Sequence, residues 1–198
     1  MRNITKKEIK KVCKLFAEAF SNDPLYIYFF PNPKSRERKA YYFFRFEVCQ
    51  SLDKILVNDD FSAATLFLKP YQEKNVINVV KNDPFLYLKM LFTVGIPPLL
   101  RALKYIDISH KIADENMHKG DAYFCLLSID KAHRGKGMAR QIFDELCGDY
   151  DVFLETQNKA NTELYKHLGF ELVDECAFPF APQVKHYSMR REATKNKN

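Results

Sequence analysis

Apolar residues near the start of the chain recur at every third or fourth position, which is the spacing of one face of an α-helix. They are Ile9, Val12, Cys13, Phe16 and Phe20. Thr5 followed by Glu8 is a capping-box signal for the start of this helix, and the polar residues before Pro24 predict its end. A second helix is predicted over about 35–52.

From residue 55 onward, short apolar runs alternate with turns and helical patterns. Runs at 55–57 and 64–68 flank three polar residues and predict a hairpin. Four later runs predict further strands, at 122–129, 151–156, 170–177 and 184–190. A helix is expected after each of the first two of these strands, the second over 158–168. This order of elements predicts a mixed α/β (α+β) sheet.

A long segment between the hairpin and the next strand has a mostly helical pattern that is interrupted at Pro84 and at Pro97. We therefore expect a helical insertion at about 70–117 within a single domain that spans 1–192. Residues 193–198 are basic and carry no apolar pattern. We expect them to form a disordered tail.

Composition and charge narrow the class of protein. Of the 198 residues 46% are apolar, which is enough for a sizeable core, and 31 basic residues against 25 acidic ones give a net charge of +6. This mild excess lacks the clustered basic stripe of a nucleic-acid-binding protein, so we expect no nucleic-acid partner. The charge suits either an anionic small ligand or an ordinary solvated basic surface.

The cysteines and the apolar segments bear on location. Five scattered cysteines without a Cys-x-x-Cys pair disfavour a zinc site or a disulfide framework and favour reduced thiols in the cytoplasm. The N-terminal segment has charges but no apolar h-region, unlike a secretory signal. The most apolar run, 85–100, contains Lys89 and Pro97 and is too short to span a bilayer. We therefore expect a soluble protein without a membrane partner.

The stretch HRGKGMARQ, residues 133–141, contains two of the chain's six glycines. It follows a predicted strand and opens a predicted helix, so its main-chain amides and the positive end of the helix dipole could bind an anion. An ordinary strand-to-helix turn with a solvated basic face is the alternative. The patterns G-x-x-x-x-G-K-[ST] and G-x-G-x-x-G are both absent from the sequence.

Two motifs together resemble the GNAT N-acetyltransferase superfamily. Arg134, Gly137 and Ala139 are spaced as in its pyrophosphate fingerprint, Q/R-x-x-G-x-G/A. LETQNKANTELYKHLGFELV, residues 154–173, resembles its second signature: a strand, an asparagine, then a helix that carries tyrosine and ends in Leu-Gly-Phe. The resemblance covers about 122–190 well, whereas about 70–117 matches no motif of the family.

The resemblance implies a GNAT-like sheet that is mixed, mostly antiparallel and flanked by helices, with two central strands that splay apart. It also implies that acetyl-CoA binds as co-substrate. The pyrophosphate would lie on the amides of the glycine loop, the pantetheine arm would bind between the splayed strands, and amides of the first strand would face the thioester oxygen. The implied binding residues are Leu127, Ile129, Arg134, Gly135, Lys136, Gly137, Met138, Ala139 and Asn161.

Two residues are candidates for proton transfer. By resemblance Tyr165 protonates the departing thiolate; alternatively it is a core tyrosine with a satisfied hydroxyl. Glu155 could help deprotonate an amine, or it could instead partner a backbone group or face solvent. Cys125 could carry an acetyl group, but a small buried residue is the stronger interpretation, so we favour direct transfer. His186 receives no role.

The sequence thus predicts an N-acetyltransferase that acts directly on an amine of a small molecule or a peptide, without a metal. A CoA- or acyl-CoA-binding domain that senses or regulates without turnover is the alternative. Members of the family often pair, so a homodimer is open. The acceptor is not readable from these motifs.

Overall fold

A computed structural model describes residues 1–194 of the chain. Seven strands lie in one sheet: β1 (Arg2–Asn3), β2 (Ile55–Val57), β3 (Ala63–Leu68), β4 (Ala122–Ile129), β5 (Val152–Thr156), β6 (Glu171–Phe178) and β7 (Ala181–Arg191). Their order across the sheet is β1-β2-β3-β4-β5-β7-β6, and only β4 and β5 run parallel among these described strands. The mixed, mostly antiparallel sheet expected from the sequence is confirmed.

Eight α-helices in the described residues cover the two faces of this sheet. They are α1 (Ile9–Ala19), α2 (Pro24–Phe29), α3 (Pro33–Gln50), α4 (Ile77–Asn82), α5 (Leu86–Val94), α6 (Ile96–Asn116), α7 (Met138–Cys147) and α8 (Lys159–His167). Helices α1 to α6 supply the core on one face, and α7 and α8 pack on the other. Successive side chains of a strand point to opposite faces of the sheet, so neighbouring residues of one strand face different groups of helices.

Aromatic side chains fill both cores. On the α1–α6 face, the rings of Phe16 and Phe44 lie 5.4 Å apart between α1 and α3. On the α7–α8 face, Phe143 stacks on Phe124 of β4 at 4.2 Å and meets Phe170 edge to face at 5.3 Å. Such pairs add to the free energy gained from burying the rings, so they fix how the helices sit on the sheet.

The parallel pair of strands opens towards its carboxyl end. Pairing between β4 and β5 ends at Phe124 and Leu154, although β4 continues for five more residues. The register between β3 and β4 skips Cys125, which makes it the extra residue of a β-bulge. A bulge bends its strand and increases the local twist, so it directs the rest of β4 away from β5. The expected splay of the central strands is confirmed.

The segment between β3 and β4 is helical, as expected, and consists of α4, α5 and α6. Gly95 separates α5 from α6, and the two helices are bent by 112° relative to each other. Within the described residues no single helix is long and apolar enough to cross a bilayer; α5 and α6 meet those criteria only when counted as a pair.

Polar residues near the predicted end of the first helix also start the helices that follow, which the sequence pattern did not predict. Asp23 accepts a hydrogen bond from the amide of Leu25 at 2.9 Å and so starts α2, with four residues between it and the end of α1. Similarly, Asn32 accepts from the amide of Lys34 at 3.0 Å and starts α3 two residues before the predicted position. The two-residue strand β1 was too short to produce an apolar pattern.

The predicted tail begins with two ordered residues. The amide of Ala193 donates to Asp151 Oδ1 at 2.8 Å, and the amide of Thr194 donates to the carbonyl of Gly148 at 3.1 Å. These bonds attach the chain to the turn before β5. Residues 195–198, the rest of the predicted tail, lie outside the described residues.

Candidate active site

The glycine loop joins β4 to α7 through a short 3-10 turn, Lys131–His133. Gly135 and Gly137 have φ of +74° and +77°, and Gly137 is the residue that precedes the first turn of α7. A Cβ built at either position would meet no atom within 4 Å. The glycines are therefore required by the backbone conformation and not by crowding, and the main chain at both positions borders open space.

Consecutive main-chain amides of this loop lack partners. Within residues 1–194, no hydrogen bond is found from the amides of Gly135, Lys136, Gly137, Met138, Ala139 or Arg140, and no side chain caps α7. The first bond of the helix is donated by Gln141 to the carbonyl of Gly137, at 3.2 Å. The unpaired amides and the positive end of the helix dipole together form a cradle suited to an anion.

Two arginines of the loop are committed to main-chain carbonyls. Arg134 Nε donates to Ile129 O at 2.9 Å, which anchors the loop to the end of β4. Arg140 donates to His167 O at 2.6 Å, at the carboxyl end of α8. Lys136 is exposed beside them. Unlike the two arginines, it donates no hydrogen bond to a main-chain carbonyl in the described part of the chain. The arginines therefore shape the cradle, and their positive charge adds to its potential.

The gap between β4 and β5 begins beside this cradle. Asp130 donates its amide to Ser62 O of the hairpin, at 2.8 Å, so alternate residues of β4 direct their amides towards β3. The amides of Leu127 and Ile129 consequently face the opposite direction, where the ladder to β5 has already ended. These two groups are placed to bind an extended ligand or a charged oxygen in the gap.

Asn161 lies on the other side of the gap, on the first turns of α8. Its Nδ2 donates to Thr156 Oγ1 at 3.2 Å, and the amide of Asn158 donates to the same hydroxyl at 3.2 Å. Asn158 Oδ1 in turn accepts from the amide of Ala160 at 3.0 Å, which makes Asn158 the cap of α8. The carboxyl end of β5 and the start of α8 are thereby held together.

Tyr165 projects from α8 into the core of the α7–α8 face. It is half-buried, and its ring lies 6.0 Å from that of Phe143 and 5.9 Å from that of Phe170. Burial raises the pKa of its hydroxyl to about 12. The group is therefore protonated at neutral pH, and proton transfer from it to a thiolate would require close approach within the gap.

Glu155 points to the opposite face of the sheet, into a cluster of buried polar side chains. One carboxylate oxygen accepts from the Tyr123 hydroxyl and from Ser109 Oγ at 3.4 Å. The other lies 2.9 Å from His186 Nε2, in a contact outside hydrogen-bond geometry, and the Glu155 side chain is 5% exposed. Its partners are thus side chains, and neither of the alternatives predicted from the sequence, a backbone partner or solvent, describes it.

An ion pair that feels the charge of Glu155 lies closer to the surface. Lys74 Nζ lies 2.8 Å from Glu47 Oε2, and both side chains are partly exposed. Burial would lower the pKa of Lys74, but the charges of Glu47 and Glu155 raise it, and the net shift is upward. Burial also raises the pKa of the Cys125 thiol to about 12. The cysteine at the bulge is therefore a neutral thiol and not a prepared nucleophile.

Sequence reasoning missed His186, Tyr123 and the pair of Glu47 with Lys74. These residues are far apart along the chain and meet only through the sheet register and the packing of α3. Tyr123 and Glu155 occupy the same face of neighbouring strands, a placement that a correct strand register would have revealed. Among residues 1–194, no group of three or more His, Cys, Asp or Glu side chains is placed to hold a metal ion.

Two hollows on the surface of residues 1–194 are relevant to the site. One of about 230 Å³ lies beside the loop, between α1 and the end of β4, and is lined by Lys11, Ile129 and Arg134 among others. A larger one of about 460 Å³ lies at the other end of the sheet, near Asp121 and Arg190, which are paired with each other at 2.9 Å. Only the smaller one adjoins the cradle.

Comparison with known proteins identifies the fold. No family model matches the chain, and no curated protein matches it by sequence. Solved structures match over nearly the whole chain. The histone acetyltransferase HPA2 and related acetyltransferase from Corynebacterium glutamicum is 16% identical and has a TM-score of 0.61, with 97% of this chain and 94% of that chain covered.

Two other structures extend this comparison. Arylalkylamine N-acetyltransferase 2 from Aedes aegypti is 13% identical with a TM-score of 0.54, and the alignment covers 98% of this chain and 97% of that one. The C-terminal condensation domain of Ebony, in complex with beta-alanyl-dopamine, is 8% identical with a TM-score of 0.61, and 97% of each chain is covered. At these identities the likeness concerns the fold.

Proposed function

Because the chain has the fold of the GNAT acetyltransferases, we propose that it is an N-acetyltransferase that transfers the acetyl group of acetyl-CoA directly to an amine of a small molecule or a peptide. The observation that carries this proposal is the run of unpaired amides from Gly135 to Arg140 next to the open end of β4 and β5. Four of these amides, from Gly137 to Arg140, are the donors that any helix start leaves unpaired, and those of Gly135 and Lys136 extend the run.

The proposed donor site uses the chain's own main-chain groups. The amides of the glycine loop bind the diphosphate of acetyl-CoA, and Lys136 adds a mobile positive charge. Asn161 and the edge of β5 bind the pantetheine arm in the manner of an added strand. The amides of Leu127 and Ile129 stabilise the negative charge that develops on the thioester oxygen during attack.

The proposed transfer places an acid and a base on opposite faces of the sheet. The acceptor nitrogen attacks the thioester carbon, the bond from carbon to sulfur breaks, and Tyr165 donates its proton to the thiolate from the α7–α8 face. A thiol has a pKa of about 8.5, so the transfer from a tyrosine of pKa about 12 depends on proximity and on reprotonation of the tyrosine by solvent. Glu155, with His186, accepts the proton that the ammonium loses, from the α1–α6 face.

The second candidate is a CoA-binding domain that senses or regulates without turnover. It would use the same loop and gap, but the tyrosine would then be a packing residue of the α7–α8 core. The five free cysteines in the described residues support a reducing compartment for either candidate, and we propose the cytoplasm.

Release of free CoA thiol in the presence of acetyl-CoA and a panel of amines, polyamines and peptides tests the proposal. Tyr165→Phe should lower kcat about 100-fold, because general acids contribute on this order, and should leave CoA affinity unchanged. Tyr71→Phe, at an exposed tyrosine far from the gap, is the matched control and should behave as the original chain. CoA binding without turnover on any amine supports the sensor, and absence of CoA binding contradicts both candidates.

A further inference from the structure

The helical insertion carries an apolar surface that no part of the described chain covers. Its members, which we call the apolar bend surface, are Phe85, Leu88, Leu91, Phe92, Ile96, Leu100 and Leu103. Phe92 is 84% exposed, Phe85 63%, Leu103 62% and Ile96 59%. Apolar side chains exposed singly are ordinary, but seven in one short segment indicate an interaction site.

These residues occupy the outer sides of two helices that meet at Gly95. On α5 the buried positions are Leu86, Met90 and Val94, so Leu88 and Phe92 project from the opposite side. On α6 the buried positions include Pro98 and Ala102, and the apolar outer residues belong to its first half. Each helix already buries one apolar face against the protein. The exposed apolar side chains are therefore additional to the core.

The charges around the apolar bend surface are positive. No acidic residue occurs between Asp83 and Asp107, whereas Lys89, Arg101 and Lys104 lie within that interval. Arg101 donates to the main-chain carbonyls of Tyr28 and Phe29 at 3.1 and 3.0 Å, so its charge is not neutralised by an acid.

The neighbouring helix adds a further cation. Lys39 of α3 donates to the carbonyl of Val94 at 3.2 Å, next to the bend. Lys104 has no partner in the described part of the chain. Lys89 pairs with Asp83 at 2.8 Å and so contributes less net charge. The rim of the surface thus presents three positive groups, Lys39, Arg101 and Lys104, and the segment between Asp83 and Asp107 brings no acid to it.

We propose that the apolar bend surface docks on a lipid bilayer that contains anionic headgroups. Leucine and phenylalanine side chains would enter the boundary between headgroups and acyl chains, and the cations at the rim would contact lipid phosphates. The helices would lie on the membrane and would not cross it, which agrees with their bend and their length. The expectation of no membrane partner was drawn from the absence of a spanning segment, and that absence does not bear on surface docking.

A second copy of the chain fits this surface less well than a membrane does. A two-fold contact would bring the rim cations of both copies to one interface, and the segment between Asp83 and Asp107 supplies no acid to compensate them. Like charges placed together at an interface oppose association. The surface contains none of the residues assigned to acetyl-CoA, so this proposal is independent of the proposed transferase activity.

Fluorescence of a single introduced tryptophan tests docking, because the chain contains no tryptophan. Phe92→Trp should show a blue shift on addition of vesicles of phosphatidylcholine mixed with phosphatidylglycerol. Val173→Trp, at an exposed apolar position on β6, is the matched control and should show none. Each rim cation near an anionic surface contributes about 1 kcal/mol, so binding to the anionic vesicles should be at least about tenfold tighter than to phosphatidylcholine alone.

Flotation of the unaltered chain with the same vesicles provides the second measurement. Leu100→Asp combined with Phe92→Asp should weaken binding by at least about tenfold, since two exposed apolar anchors are lost without disturbing a core. Absence of flotation with anionic vesicles, or equal binding by this variant, overturns the proposal. A blue shift without vesicles that grows with protein concentration also overturns it, in favour of a second copy.

Discussion

Replacement of Gly137 by alanine separates the two roles of the glycine loop, its backbone conformation and its binding of an anion. The backbone at this position has φ of +77° and ψ of 2°, in the left-handed region. A residue with a Cβ costs about 1–2 kcal/mol there. In a chain of this size each kcal/mol changes Tm by about 2–4 °C, so Gly137→Ala should lower Tm by about 2–8 °C.

The same substitution should weaken CoA binding by more than the loss of stability implies. The new methyl would occupy the open space above the cradle and displace the ligand from adjacent amides. Loss of one hydrogen bond to a charged group costs about 1.5–3 kcal/mol, and each 1.4 kcal/mol is tenfold in affinity. We therefore expect Kd for CoA to rise by about 10- to 100-fold, measured by isothermal titration calorimetry below the Tm of the variant.

Gly95→Ala is the matched control. Gly95 also has positive φ, +85°, and open space at its Cβ position, but it lies between α5 and α6, away from the loop. This variant should lose at least as much stability and retain CoA affinity. Equal effects of the two substitutions on Kd, or an unchanged Kd in Gly137→Ala, would refute the assignment of the cradle.

Two further predictions concern titratable groups on the α1–α6 face. Cys125→Ala should retain turnover in the thiol-release assay, because the raised pKa keeps this thiol neutral and direct transfer needs no acetyl-cysteine. Loss of activity in this variant, together with an acetyl adduct trapped on the original chain, would contradict direct transfer. Burial raises the pKa of Asp23 from 3.8 to about 6, so the stability that the protonated carboxyl contributes is fully present below pH 3.8 and is lost as pH rises through 6. Asp23→Asn keeps a capping oxygen without a charge, so the difference in Tm between this variant and the original chain should increase from pH 4 to about pH 6 and level off above pH 6. The increase should be equivalent to at most about 3 kcal/mol. A difference in Tm that does not depend on pH would contradict the raised pKa of Asp23.

Local patterns predicted the parts of the fold that depend on short segments. The strand, loop and helix around Gly137 form one continuous stretch, and positive φ at this residue follows from glycine chemistry alone. The helical insertion was also predictable, since prolines and apolar spacing are local signals. The helix predicted over 158–168 agrees with α8 and its cap, Asn158.

Contacts across the sheet could not be predicted in this way. The bulge at Cys125 depends on the register between β3 and β4, and no single residue in either strand signals it. The environment of Glu155 depends on His186 from β7 and Ser109 from α6, which the chain brings together only after the sheet has formed. The exposure of Phe92 likewise follows from the direction in which α5 packs on α3, and its apolar character alone favoured burial.

The proposed donor site depends on main-chain amides that hold a diphosphate next to two diverging strands. Amide NMR of the ¹⁵N-labelled chain during titration with CoA observes those amides directly. The nucleotide fragment of CoA should cause the largest shifts at Gly135, Lys136, Gly137, Met138 and Ala139. Full CoA, which also carries the pantetheine arm, should in addition shift the amides of Leu127 and Ile129. Saturable binding of CoA that leaves these resonances in place, or that perturbs only the hollow near Asp121 and Arg190, would contradict the proposed site.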